Sequence, residues 1–410
     1  MRRTSVRERN PAVLNAGHYY HVRGGSDRYM VSLGELLESK GHTVVPFAVR
    51  DPENRESPWT DRFPDPVDVQ NGGLRDAAQF LYSRPAERAL RSILSDTPVD
   101  VAHLHIYYGQ LTTSILRPLR ERGIPIVQTL HDYKLACPVY TMVAGDRICE
   151  ACRGKSFLPA LPRRCNRGSL ARTLVSVAES YVSRLKGRCH ELDHFIAPSD
   201  FMRRKMIELD LVDPDRITAI PHHVDLPPRE ESPAPGKHIL YFGRIESVKG
   251  VRTLIEAAGP LRECRLVIAG RGGGKAEMES LVERQGWDHI RFVGFQSGED
   301  LERLIRESIA TVLPSEWYEN YPLAIMESHA RSRPVIGAII GGIPEMIDDG
   351  TDGFLFPPGD VEALRDALER ATGDLSAAVR MGEAGRRRAE ERYDADLHYD
   401  RILEVYRRVL

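Results

Sequence analysis

The chain has 410 residues, enough for two domains that each bury a core, and its 57 Lys and Arg against 59 Asp and Glu exert no general pull on nucleic acid. No apolar run approaches the length of a bilayer crossing, and the opening MRRTSVRERN has adjacent arginines with no apolar stretch behind them, so neither a secretory nor a twin-arginine signal is read. These features predict a cytoplasmic protein. Short apolar runs then alternate with amphipathic stretches, the pattern of parallel sheets covered by helices on both faces. Residues 12–15, 43–49, 99–106 and 124–130 read as strands of a first domain, with a helix over 29–40. Gly24 and Gly25 follow the first strand and a loop holding His18, Tyr19 and Tyr20. Without side chains they let backbone N–H groups approach a ligand, and Ser26 or Asp27 is available to cap the next helix. His105 ends one strand, and His131 and Asp132 follow the next, where open parallel sheets bind ligands. Leu170, Leu174, Val177, Ala178, Tyr181 and Leu185 share one helical face, which predicts a helix packed on the sheet through that face. After a strand over 217–220, the segment PHHVDLPPREESPAPGK is rich in proline and charge and reads as a linker, with a hinge near residue 225.

A second domain repeats the alternation, with strands over 238–242, 266–269, 290–293, 310–313 and 335–338 and helices over 251–261, 361–371 and onwards to 410. In YFGRIESVKG, Arg244 and Lys249 lie on the short loop between a strand and a helix, where fixed cations can neutralise a leaving diphosphate. In SEWYENYPLAIMES, Pro322 marks a helix start, which leaves Glu319 in the loop and Glu327 inside the helix. A helix start offers unpaired N–H groups to phosphate, and the two carboxylates can accept hydrogen bonds from sugar hydroxyls on either side. That combination outlines a nucleotide-sugar site.

The segments FGRIESVKG and PSEWYENYPLAIMESHARSRPVIGAIIGGIPEMIDDGTDGFLFPPGD resemble the C-terminal half of the family-4 retaining glycosyltransferases. The resemblance runs through most of the chain, weaker in the N-terminal half. It implies an α/β fold of two facing Rossmann-like domains (GT-B architecture) with an inter-domain cleft. The acceptor-side domain would span 1–225 and the nucleotide-sugar domain 226–392, with 393–410 returning to the first. It also implies that Arg244 and Lys249 bind the donor diphosphate, that Glu327 holds the ribose, and that Glu319 sits beside the transferred sugar. The backbone of Asn320, Tyr321, Pro322 and Leu323 would wrap the sugar and phosphate, Gly24 and Gly25 would meet the donor phosphate, and His131 would face the donor sugar. His105 and Asp132 would line the acceptor side. The implied activity moves a hexosyl unit from a GDP- or UDP-linked donor to an acceptor hydroxyl in polysaccharide or glycoconjugate synthesis, with retention and no catalytic metal. Glycosylation of a small natural product and nucleotide-sugar epimerisation are the alternatives; a non-catalytic sugar-binding protein is a third. Where the family often has Asn-Gly before Val-Asp, this chain has His222 and His223, which leaves any contact from that segment in question.

Cys137, Cys149, Cys152 and Cys165 fall in a poorly periodic insertion over about 133–168, apart from Cys189 and Cys264. Four thiolates could ring a structural zinc ion and staple such a loop, although only one Cys-x-x-Cys is present; reduced structural thiols are the other reading. A similar cysteine-bearing insertion occurs in some bacterial polysaccharide glycosyltransferases. From Arg147 to His190 ten Lys or Arg face two acids, Glu150 and Glu179. Such a stretch is a solvated basic face, or it meets an anionic lipid surface or an acidic acceptor. Asp213-Pro214-Asp215 and Asp394-Ala395-Asp396 spell a metal-binding Asp-x-Asp, but neither follows an apolar strand. Gly270 to Gly274 would suit a dinucleotide, yet the next strand ends in Gly294 and Phe295 instead of an acid for the ribose.

Overall fold

The computed structural model describes residues 10–68, 72–153, 156–187, 190–229 and 236–410. The chain divides into two compact units, one of residues 1–142, 150–220 and 398–410, the other of 143–149 and 221–397. The division at Ile220 falls a little before the expected hinge, and the final return begins at His398. Cys189 and the linker residues 230–235 lie outside the described residues.

In the first unit the chain runs through β1 (Val13–Ala16), α1 (Gly25–Ser39), β2 (Val44–Phe47), α2 (Leu74–Leu81), α3 (Arg84–Asp96), β3 (Val101–Leu104), α4 (Leu116–Glu121) and β4 (Ile126–Thr129). A small antiparallel hairpin follows, β5 (Val143–Ala144) and β6 (Arg147–Ile148), which clusters with the second unit. Then come α5 (Leu170–Leu185), β7 (His194–Ala197), α6 (Asp200–Glu208) and β8 (Ile217–Ala219). The strands form one parallel sheet in the order β2-β1-β3-β4-β7-β8. They are short and, apart from β8, buried along their whole length, which is why they read as apolar runs without alternation. β7, of only four residues and headed by His194, is not among the strands expected from sequence.

The second unit runs β9 (His238–Phe242), α7 (Val251–Ala258), β10 (Leu266–Ala269), α8 (Lys275–Gln285), β11 (Ile290–Gly294), α9 (Gly298–Arg306), β12 (Ser308–Leu313), α10 (Leu323–Ala330), β13 (Val335–Ala338), β14 (Gly353–Phe356), α11 (Val361–Gly373) and α12 (Leu375–Arg392). Its parallel sheet has the order β11-β10-β9-β12-β13-β14. The order reverses between β9 and β12, a topological switch point whose carboxyl-end crevice is where such sheets take ligands. The last helix, α13 (Ala395–Val409), sends Ile402, Leu403, Val405 and Tyr406 into a cluster with Leu33 of α1 and Val13, Val44 and Val101 of the first sheet.

The helix expected to pack through its leucines is turned the other way. Along α5, Thr173, Ser176, Val177, Glu179, Ser180 and Ser183 are buried, while Leu170, Leu174 and Leu185 are 53%, 55% and 85% exposed. Polar burial is possible there because the inward groups find partners. Lys134 Nζ lies 2.5 Å from Glu179, Ser183 donates to Glu179 at 2.5 Å, and Asn166 Nδ2 donates to Ser176 at 2.9 Å. Periodicity revealed a stripe but not which side faced water.

Candidate functional site

The two strands flanking the switch point of the second sheet deliver the charged residues. The loop after β9 carries Arg244 and Lys249; the loop after β12 carries Glu319 into α10. Gly250 holds these loops together: its φ is +66°, and a Cβ there would lie 1.8 Å from the Pro314 carbonyl oxygen. Glu316 N–H donates to the Val248 carbonyl at 2.9 Å, and Thr253 donates to Glu316 at 2.5 Å.

Lys249 and Glu319 meet. Lys249 Nζ lies 2.6 Å from Glu319 Oε1, and the same oxygen accepts from Ser315 Oγ at 2.6 Å and Trp317 Nε1 at 2.9 Å. Glu319 Oε2 receives no hydrogen bond from any described residue. The Lys249 ammonium also lies 4.9 Å from the centre of the Trp317 ring, a cation–π contact. Burial by itself would raise the Glu319 pKa, but the Lys249 charge and hydrogen bond, with Ser315 and Trp317, outweigh it and hold the carboxyl below the usual range. Behind it, Gly342 N–H donates to the Glu319 carbonyl at 2.8 Å. Gly341, at φ +60°, comes so close that a Cβ would lie 2.3 Å from that oxygen.

The other second-unit residues are spread around this pair. Pro322 is the residue before α10 and not part of its first turn, so the helix opens on Leu323. Glu327 is half-buried on α10, and its carbonyl accepts from Arg331 at 3.2 Å. Tyr321 turns its side chain into the core, edge-on to His222 and Tyr393. Arg244 is 58% exposed and leans on Glu246 at 3.1 Å. The glycine cluster after β10 has a packing role: a Cβ on Gly272 would lie 2.2 Å from the Ile245 carbonyl oxygen. Asp213 precedes a single 3-10 turn and Asp394 caps α13 through the N–H groups of Asp396 and Leu397 at 2.9 and 3.0 Å.

The first unit presents a separate group at the carboxyl ends of β1, β3 and β4. Gly24 precedes α1 in an extended conformation, and a Cβ there would meet nothing within 4 Å. Gly25 opens the helix, so Ser26 and Asp27 lie within its first turn and neither is the capping residue. Burial pushes the Asp27 carboxyl up to about 6, against His21 and the backbone N–H groups of Arg23 and Gly24. His105 is buried and lines a small cavity with Tyr108, His131, Asp132 and Lys134: its Nε2 meets Asn15 Oδ1 at 2.8 Å and its Nδ1 meets His131 Nε2 at 3.0 Å. Asn15 Nδ2 donates to the Met30 carbonyl at 2.8 Å, which fixes its oxygen towards His105. The chain of partners then sets the tautomers: His105 is protonated at Nε2, His131 donates from Nε2, and His131 Nδ1 is an acceptor. Burial pushes the His131 pKa down to about 3, so the ring is neutral. Asp132 accepts from the Tyr108 hydroxyl and, at 3.0 Å, from Lys134 N–H. Sequence reasoning missed Asn15, Ser315 and Trp317. Asn15 had a signal, a polar residue inside an apolar strand, and the other two stand in the same run as Glu319.

Among the described residues, one group of three metal-capable side chains has its ligand atoms within 4.8 Å of each other: His21, Asp51 and Glu53. The four insertion cysteines do not form such a group. Cys137 is buried, and Cys152 and Cys165 pack against Phe157, Ala160 and Val177. Within the first unit, the sulfurs of Cys137, Cys152 and Cys165 are not gathered as three ligands of one zinc ion would be.

Comparison with known proteins identifies the family and the fold. The profile described as Glycosyltransferase Family 4 matches residues 23–227, half of the chain, and the profile described as Glycosyl transferases group 1 matches residues 225–388. The chain belongs to glycosyltransferase family 4. The enzyme is 28% identical to glycogen synthase of Mycobacterium tuberculosis over 94% of its own length and 91% of the relative. It is 34% identical to alpha-D-kanosaminyltransferase of Streptomyces kanamyceticus, over 42% of its own length and 45% of that relative. Its fold is that of the sucrose-phosphate synthase from Thermosynechococcus elongatus, at a TM-score of 0.69 and 21% identity, covering 98% of this chain and 99% of the other. HepE of Anabaena, solved with UDP and glucose, matches at a TM-score of 0.65 and 16% identity, covering 96% and 99%. These likenesses establish a glycosyltransferase of GT-B fold with two Rossmann-like parallel sheets. No helix among the described residues is long and apolar enough to cross a membrane.

Proposed function

We propose that this glycosyltransferase transfers a hexosyl unit from a UDP- or GDP-linked sugar to an acceptor hydroxyl, with retention and without a catalytic metal. The observation that carries the reading is the Lys249–Glu319 pair beside the start of α10 at the β9/β12 switch point. There, Lys249 and Arg244 would meet the diphosphate together with the first N–H groups of α10, and Glu327 would accept from the ribose hydroxyls. Glu319, anchored through Oε1, would offer Oε2 to a sugar hydroxyl. The bond from the anomeric carbon to phosphate breaks as the bond to the acceptor oxygen forms on the same face. The acceptor proton passes to the departing diphosphate. Catalysis is then positioning plus electrostatic stabilisation, and no side chain acts as nucleophile. The use of Asp394 as the cap of α13, and the place of Asp213 before a 3-10 turn away from any apolar strand's end, support catalysis without a metal held by either Asp-x-Asp.

HepE, solved with UDP-glucose, supports UDP as the nucleotide, and glycogen synthase supports a saccharide acceptor. The kanosaminyltransferase favours a second reading, a small natural product as acceptor. Labelled UDP-, GDP- and dTDP-sugars, offered with oligosaccharide and aminocyclitol acceptors, test the proposal. Label on an acceptor with the donor's anomeric configuration is expected. Label that stays on the nucleotide as a new epimer would make the protein an epimerase, and inverted product would overturn retention.

A further inference from the structure

The orientation of α5 turns an apolar face outward, with Leu170, Ala171, Leu174 and Leu185 exposed and Val175, Ala178 and Val182 half-buried. Leu170, Ala171, Leu174, Val175, Ala178, Val182 and Leu185 occupy the arc opposite the buried Thr173, Ser176, Glu179, Ser180 and Ser183. Leu74 at the start of α2, a helix packed along α5, is 93% exposed. Soluble proteins seldom leave a continuous apolar stripe in water without a use for it. The chain around the stripe is mostly cationic: between residues 163 and 187 it carries Arg163, Arg164, Arg167, Arg172, Arg184 and Lys186, and its one acid, Glu179, is buried against Lys134, while α2 adds Arg75 and Asp76.

We infer that the outer face of α5 docks on an anionic lipid bilayer, with its leucines at the acyl boundary and the flanking cations on the headgroups. A helix with an apolar face flanked by Arg and Lys is the form that lies in a membrane interface, where apolar burial and attraction to anionic lipid add together. The size of the face argues for lipid over a second protein. Sixteen residues make a helix about 24 Å long and about 10 Å wide. Such a strip is roughly 240 Å², well short of the roughly 800 Å² per partner of a stable protein interface. None of these residues belongs to the proposed donor site, so the inference stands whichever sugar is moved.

The test is flotation of the full chain with vesicles of phosphatidylcholine alone and of phosphatidylcholine mixed equally with phosphatidylglycerol. Binding to the mixed vesicles is expected, weakening with salt, with little to the neutral ones. The triple variant L170S/L174S/L185S should lose at least tenfold in bound fraction while its circular dichroism and thermal midpoint match the parent. Replacing Arg163, Arg172 and Lys186 by glutamine should weaken binding and flatten its salt dependence. Absence of binding by the parent at low salt, or undiminished binding by the leucine variant, would overturn the inference. So would a concentration-dependent dimer that the leucine substitutions dissolve, because the face would then belong to a second copy.

Discussion

Replacing Lys249 by alanine perturbs stability and turnover through one atom, and the two effects can be separated. The Lys249 and Glu319 side chains are 14% and 8% exposed, so the substitution strands a carboxylate in a place that water barely reaches. Losing one member of a buried pair costs about 3–5 kcal/mol, and with Ser315 and Trp317 still donating to Oε1 the lower end, about 3 kcal/mol, is expected. The pH dependence should also change sign. In the parent, Glu319 is held below its ordinary pKa, so it contributes stability above the unfolded value that is lost as pH falls through the folded value. Without Lys249, burial prevails and raises the folded pKa, so the carboxyl then costs stability as pH rises past the unfolded value. Turnover should fall about 100-fold, equivalent to about 2.7 kcal/mol of transition-state stabilisation, if Lys249 also steadies the departing diphosphate. Adding Glu319→Gln removes the stranded charge and should recover most of the stability but none of the turnover. Urea unfolding across pH gives the first quantity and release of nucleoside diphosphate the second. Near-parental turnover in Lys249→Ala would refute the role in the leaving group. A double variant no more stable than the single would refute the electrostatic account of the pair.

Three further outcomes follow from the geometry. Asn15→Leu removes the acceptor that orients His105, so the His131 ring should become a mixture of tautomers and substrate affinity should weaken; imidazole nitrogen shifts unchanged from the parent would contradict the relay. Burial pushes the pKa of His103 and His131 down to about 3 and of His18 to about 4. The unfolded chain therefore takes up protons first, and stability that is complete above about pH 6.5 should fall by about 1.4 kcal/mol per histidine per pH unit below it. Urea midpoints that coincide at about pH 7 and about pH 5.5 would show those rings are not held neutral. Gly250→Ala places a Cβ against the Pro314 carbonyl at a left-handed φ and should destabilise the second unit by about 2 kcal/mol or more; an unchanged melting profile would count against the loop packing.

Much of the fold could be read from the chain because most central strands are buried on both faces and stand out as apolar runs between turn residues. His238–Phe242 and Val335–Ala338 have the same limits in sequence and structure. The strands His194–Ala197 and Gly353–Phe356 escaped because four residues with a terminal histidine or glycine leave little pattern. The α5 error has a different cause. A period of 3.6 locates a stripe, but the inward face here is polar and satisfied by Lys134 and Asn166, partners far away in sequence or outside the helix. At the candidate site, Lys249 and Glu319 are 70 residues apart and were each picked out by their loops, whereas their direct contact exists only in space. The convergence of Ser315 and Trp317 on the same oxygen, and the Asn15–His105–His131 chain across three strands, were likewise beyond any local pattern.

The most direct measurement is a crystal structure of the full chain with a nucleoside diphosphate bound. The account predicts diphosphate oxygens within hydrogen-bond reach of Lys249, Arg244 and the first N–H groups of α10, with the ribose against Glu327. A diphosphate bound elsewhere, with Arg244 still on Glu246 and Glu327 clear of the ribose, would contradict it.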